Sequence, residues 1–225
     1  CNVRPMYGEI YRDLIQGYDY FGWSDIDVIY GDIRKFYNND TLTGNVISTH
    51  KYICSGHLTL LRNEDWLRQA FRHLNGWRER LENPHAVEWH QCLDEAHLTA
   101  LFSPCDIVRG RFTRRLGTYA PEARYWNNNL FKERWTTPFL PTGWMGKRAE
   151  SPETWFWDRG RLTSDLTGAR QFIYLHLMNF KARRWVDEQL YGDARTWCDA
   201  ADIMDFGYDD PVTRVRIDRD GIHAL

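Results

Sequence analysis

The sequence predicts an α/β layered fold, on three observations. Short apolar runs of strand length occur at 20–30, 45–49, 58–62 and 171–178. Apolar residues at helical spacing lie between them, and the two kinds of segment alternate along the chain. Alternation of that kind packs helices on a sheet.

Residues 5–17 read as a helix, with Pro5 in the first turn and Met6, Ile10 and Leu14 on one face. Gly17 ends it. Residues 20–30 (YFGWSDIDVIY) read as one buried strand interrupted by charge. Gly31 breaks it, and Asp32 caps a short helix holding Ile33 and Phe36. Residues 45–49 and 58–62 are two further strands. Asn63 is a good N-cap, and the helix it starts puts Trp66, Ala70, Leu74 and Trp77 on one stripe. A second helix spans 86–102, with Trp89, Leu93 and Ala96 inward. Residues 103–153, rich in Arg, Asn, Gly and Pro, read mostly as loop. A hairpin follows at 154–163 around Asp158-Arg159-Gly160. The strand 171–178 leads into a basic amphipathic segment reaching about residue 190. Thr213, Val215 and Ile217 alternate with Arg214 and Arg216, as in a half-buried strand ending at a turn at 218–221.

The chain reads as a single domain, 1–225. Residues 1–102 form its core, 103–153 a long loop region, and 154–225 the hairpin, a His-bearing strand and the tail. Its 225 residues include 11 Trp, 12 Tyr and 11 Phe, enough large apolar surface to exclude global disorder. A formal net charge of −2 argues against a dedicated nucleic-acid binder. No uncharged apolar run has the length of a membrane span. The five cysteines, Cys1, Cys54, Cys92, Cys105 and Cys198, are dispersed without a C-x-x-C pair, which fits a reducing cytoplasm. The chain starts on Cys1 already within a helical pattern, as a processed chain or a fragment would.

Four groups of residues could carry chemistry. Asp25-Ile26-Asp27 on a strand sends both carboxylates to one face, with Ile26 turned into the core. Two such carboxylates among apolar neighbours are costly unless a cation or strong donors offset them, and a hard divalent ion on a nucleotide diphosphate is one solution. Capping of a turn is the plainer role. His176, in an apolar strand, is either a hydrogen-bonded core histidine or a metal ligand. Lys181, with Arg183 and Arg184, could neutralise phosphates or simply line a solvated helix face. Asp94 or Glu95 could take a proton from an acceptor hydroxyl, although exposed helix acids are common. His90, Asp94 and His97 share helical spacing, a looser metal pattern. In Ser55-Gly56-His57, the glycine admits close backbone approach and His57 could bond a sugar or phosphate oxygen; an ordinary turn is the alternative.

Tyr7-Gly8-Glu9-Ile10, the long stretch Gly17–Phe36, the block Ser55–Asn63, Leu93-Asp94-Glu95, and His176 with Lys181 occur in an order that resembles a known family. It is a bacterial family found with capsule and cell-surface polysaccharide genes, related to GT-A-type glycosyltransferases. The resemblance covers residues 1–100 well and 155–190 thinly. It implies a GT-A-like mixed sheet flanked by helices. It also implies a metal-dependent glycosyltransferase that moves a sugar from a nucleotide-diphosphate donor, a UDP-sugar first, to a glycan or polysaccharide acceptor. Asp25 and Asp27 would match the D-x-D that holds Mn²⁺ or Mg²⁺ against the donor diphosphate. His176 would complete the metal shell, and Lys181 would face the leaving diphosphate. Asp94 or Glu95 would be the catalytic base, and Gly56 and His57 would contact substrate. The family has Phe before the Asp-Glu and a shorter gap between the late His and its Lys. Family members also begin with an α/β segment, absent here, that supplies part of the nucleotide pocket. A cytoplasmic location, or the inner membrane face with peripheral association, goes with this reading. A non-catalytic carbohydrate-binding module and a metal-dependent phosphoesterase are the alternatives.

Overall fold

The structure is a computed structural model that describes residues 2–82, 92–136, 154–177, 204–207, 209–218 and 221–225. The described strands are β1 (Tyr20–Ser24), β2 (Val28–Tyr30), β3 (Val46–Ser48), β4 (Leu58–Arg62), β5 (Leu130–Phe131), β6 (Trp135–Thr136), β7 (Trp155–Asp158), β8 (Arg161–Ser164), β9 (Tyr174–His176), β10 (Arg214–Asp218) and β11 (Gly221–Ala224). The α-helices are α1 (Tyr7–Ile10), α2 (Ile33–Phe36), α3 (Asp65–Arg68), α4 (Trp77–Glu82), α5 (Leu98–Phe102) and α6 (Asp106–Leu116). The fold is therefore α/β, as the alternation predicts. Its residues gather into two compact units, Cys1–Asp25 with Tyr37–Glu133, and Ile26–Phe36 with Arg134–Leu225.

The first unit holds a mixed sheet in the order β1-β4-β3-β5. β4 runs antiparallel to β1 and β3, and β5 pairs parallel with β3. β1 buries Phe21 and Trp23 on one face and turns Tyr20 and Gly22 the other way, the period of two that a half-covered strand requires. Phe21 sits opposite Leu61, and both enter a core with Leu67, Phe71, Leu101, Phe102 and Tyr125. Edge-to-face rings tighten that core: Phe71 on Trp77 at 5.1 Å and Trp66 on Tyr125 at 5.4 Å between centroids.

Three local expectations for this unit are corrected. The helix expected over 5–17 is a 3₁₀ turn, Arg4–Met6, then α1, then turns up to Gly17. Met6 is buried, but Ile10 and Leu14 face solvent, so the apolar stripe has no wall to cover. The Asn63 amide fixes the turns that follow α1. It donates to the carbonyls of Ile15 and Tyr18, both at 2.8 Å, and holds the chain in a turn there. With its side chain so used, Asn63 is not the helix cap; α3 starts after Glu64, without a side-chain cap bond. The region expected mostly as loop contains α6, eleven residues long. Asp106 lies in its first turn, Arg114 and Arg115 in its last, and Gly117 closes it in the left-handed conformation. Of the helix expected at 86–102, the described part is a π-helical turn, Leu93–His97, continued by α5.

The second unit contains an antiparallel sheet, β11-β10-β7-β8, and a three-stranded sheet, β2-β9-β6. Its core joins Trp155, Leu162, Phe172, Leu175, Val215, Ile217 and Ile222. β10 buries Val215 and Ile217 and exposes Arg214 and Arg216, as the alternation predicts. The hairpin expected at Asp158-Arg159-Gly160 is β7–β8, with both Arg159 (φ 48°) and Gly160 (φ 88°) left-handed at its turn.

The stretch read as one strand at 20–30 is two. β1 belongs to the first unit and β2 to the second, with Asp25-Ile26-Asp27 as the bend between them. Ile26 is 94% exposed rather than turned into the core, because side-chain alternation holds only inside a strand. Among the described residues Cys54, Cys92 and Cys105 are free thiols, and no helix is long and apolar enough to cross a membrane.

Candidate functional site

The first unit brings together five of the residues singled out from the sequence. Asp25 leaves the end of β1, where its N–H donates to the His57 carbonyl at 3.1 Å. The Ser24 hydroxyl donates to the same carbonyl at 2.6 Å. The segment Ser55-Gly56-His57 is thereby pinned beside the end of β1. Asp94 and Glu95 come from the π-helical turn, a helix irregularity that recurs at functional sites. The Gly56 N–H donates to Glu95 Oε1 at 3.0 Å. A Cβ on Gly56 would stand 2.7 Å from that oxygen, so any larger residue there would displace the Glu95 carboxylate from this position.

Arg4 ties these pieces together, and nothing in the sequence pointed to it. Its guanidinium donates to Asp25 Oδ1 at 2.5 Å, to Asp94 Oδ2 at 3.0 Å and to the Gly56 carbonyl at 3.0 Å. Only a planar fork of several N–H groups can serve three acceptors in this way. Its partners lie 21, 52 and 90 residues along the chain, so no local motif could reveal it.

Two carboxylates thus share one guanidinium, and Glu95 stands beside them on the Gly56 N–H. Asp94 is 1% exposed. Burial raises its carboxyl above the ordinary value, and Arg4 works against that shift. Glu95 is pushed up to about 7, first by burial and then by the neighbouring Asp94 charge. Burial alone would lower the Arg4 pKa, but the two aspartates outweigh it and hold the guanidinium charged.

A carboxylate oxygen of Asp25 and a ring nitrogen of His57 lie within 4.8 Å of each other. One oxygen and one imidazole donor at that spacing suit a divalent ion such as Mn²⁺. In the second unit, His176 sits on β9 opposite Val28 of β2, and its Nε2 is 3.1 Å from Asp27 Oδ2. The Leu177 N–H donates to the Asp27 carbonyl at 2.9 Å, which fixes the aspartate against the end of β9. His176 is therefore a buried histidine with a carboxylate partner. Lys181, Arg183, Arg184 and His90 lie outside the described residues. His97 pairs its Nδ1 with the Thr118 hydroxyl at 2.7 Å, and among the described residues the candidate metal group includes neither it nor Asp94.

The chain belongs to a family of unknown function, DUF6625, whose profile matches residues 1–203. No curated protein and no solved structure matches it.

Proposed function

We propose that the protein is a metal-dependent glycosyltransferase, moving a sugar from a nucleotide-diphosphate donor, a UDP-sugar first, to a glycan or cell-surface polysaccharide acceptor. The observation that carries this reading is the convergence of Asp25, His57, Asp94 and Glu95 around Arg4. Asp25 and Asp27, separated in the chain only by Ile26, are the D-x-D that the resemblance assigns to Mn²⁺ or Mg²⁺. His57 would add a nitrogen beside Asp25, and His176 would orient Asp27. The ion, when bound, stabilises the charge that develops on the departing diphosphate.

The remaining chemistry belongs to the chain. In an inverting transfer the acceptor oxygen attacks the sugar carbon and its bond to the diphosphate breaks. A carboxylate takes the hydroxyl proton. We assign that step to Glu95 rather than Asp94. Asp94 is held by Arg4 and sealed from solvent, which makes it a positioning residue. Glu95 is only partly buried and offers Oε2, while the Gly56 N–H holds Oε1. A carboxyl group titrating near neutrality suits proton transfer at that pH. A cytoplasmic location, with peripheral association at the inner membrane face as the variant, goes with the same reading.

The test is UDP-sugar hydrolysis by the full chain across a Mn²⁺ titration, with and without Asp27→Ala. The expected result is Mn²⁺-dependent hydrolysis that the substitution lowers by roughly a hundredfold or more. Metal dependence that the substitution leaves unchanged would sink the metal assignment. One observation favours a second reading. Arg4 already neutralises Asp25, as an ion would, and a carbohydrate-binding module without turnover needs no more than that. Glycan binding without metal, together with no donor binding by calorimetry, would select it.

A further inference from the structure

A second concavity, of about 320 Å³, lies within the first unit along α6. Trp126 and Tyr119 form its aromatic walls, Gly110 lies along its floor, and Arg109, Thr113 and Arg114 bring the polar groups. Tyr119 is 69% exposed, so its ring is open to a ligand. The Arg109 guanidinium lies over Trp126 at 4.5 Å, donates to the Ser103 carbonyl at 2.9 Å and pairs with Asp106. It is therefore fixed and its charge compensated. Arg114 has no hydrogen bond or ion pair recorded among the described residues, so the groove keeps one uncompensated positive charge.

Gly110 supplies an independent argument. Glycine inside a helix costs about 0.5–1 kcal/mol relative to alanine. Nothing about the backbone asks for it: Gly110 is absent from the positive-φ glycines, and an added Cβ would meet only Arg114 Nη1, at an ordinary 3.5 Å. What a side chain there would fill is the groove.

We propose that this groove binds an acidic sugar, a pyranose bearing a carboxylate. The ring lies against the Tyr119 and Trp126 faces, the carboxylate pairs with the Arg114 fork, and Thr113 meets a hydroxyl. Charge complementarity and the aromatic walls select this ligand. A nucleobase brings no carboxylate for the Arg114 fork, and the UDP arm of the test below decides between the two. That the sugar is part of the acceptor rests on the transferase reading; the binding itself does not.

Saturation-transfer NMR on the full chain, without metal or nucleotide, tests it with methyl β-glucuronide against methyl β-glucoside as probes. The expected result is transfer to the glucuronide ring protons, roughly tenfold weaker for the neutral glucoside. Arg114→Gln should reduce the glucuronide signal by a similar factor, and Gly110→Leu should abolish it, each with an unchanged circular dichroism spectrum. Equal transfer to both sugars, or a signal undiminished in both variants, overturns the proposal. So does UDP occupying the groove, seen as UDP transfer that Gly110→Leu removes. Failure here leaves the Asp27→Ala test standing, and failure of that test leaves this one standing.

Discussion

Arg4 is the residue on which the site's electrostatics turn. Its guanidinium pairs with both Asp25 and Asp94, and its side chain is only 16% exposed. Removing one partner of a buried ion pair leaves the other charge uncompensated, at a cost of about 3–5 kcal/mol. Arg4→Met is therefore expected to lower the unfolding free energy, read from urea titrations, by that order. Arg4→Lys should recover only part of the loss, since an ammonium has no planar fork to serve Asp25, Asp94 and the Gly56 carbonyl together. Equal midpoints for wild type and Arg4→Met would remove Arg4 from its organising role. Asp25, Gly56, His57, Asp94 and Glu95 were legible singly, because each sits in a short, distinctive run. Their meeting was not, because Arg4 and the Glu95–Gly56 bond join segments far apart in the chain.

Elements show which local signals survive packing. The β7–β8 hairpin and the alternation of β10 were readable, since turn chemistry and a period of two act over a few residues. The bend at Asp25–Asp27 was not, because an apolar run with two acids looks the same whether it continues or turns. α6 was missed because its apolar stripe, Val108, Phe112 and Leu116, is short and set among four arginines, with Ile107 79% exposed and only Leu116 buried. Its helix signals were Asp106 at the start and Gly117 at the end. The hairpin turn carries a prediction. Two left-handed residues favour Asn-Gly, and Arg159 holds the asparagine position at φ 48°. Arg159→Asn should raise stability by about 0.5–1 kcal/mol in chemical denaturation. Gly160→Ala, at φ 88°, should lower it by about 1–2 kcal/mol. The opposite order would mean that this turn is not of the mirror-image type.

At the scale of the whole molecule, topology was the least legible level. Residues 26–36 leave the first unit, and β2 pairs with β9 far down the chain, a choice no local pattern encodes. The same scale sets the response to pH, because the buried titrating groups act in opposition. Glu95 and Glu133 are both raised to about 7, chiefly by burial. Asp94 and Asp25 press further on Glu95, which Arg4 and the Gly56 N–H relieve. Lys51 relieves Glu133, whose carboxylate stands 3.9 Å from His50 Nε2. His50 and His97 are lowered to about 4, by burial in both and also by Arg80 in the latter. An acid with a raised folded pKa holds a proton that the unfolded chain has lost, so each glutamate makes stability fall as pH rises from about 4.5 to 7. A histidine with a lowered folded pKa lacks a proton that the unfolded chain holds, so each imidazole makes stability rise between about 4 and 6.5. Among the described residues two act against two, which favours a shallow wild-type profile from pH 4.5 to 6.5, with Asp94 adding in the sense of the glutamates at its acid end. Glu95→Gln keeps the acceptor for Gly56 and removes one of the opposing slopes. Its stability should then rise by about 1–2 kcal/mol between pH 5 and pH 6.5, against little change in wild type. Urea midpoints at the two pH values measure the difference. Parallel profiles for the two proteins would mean that Glu95 titrates as an ordinary exposed carboxylate, and would withdraw it from the proton-transfer role assigned to it.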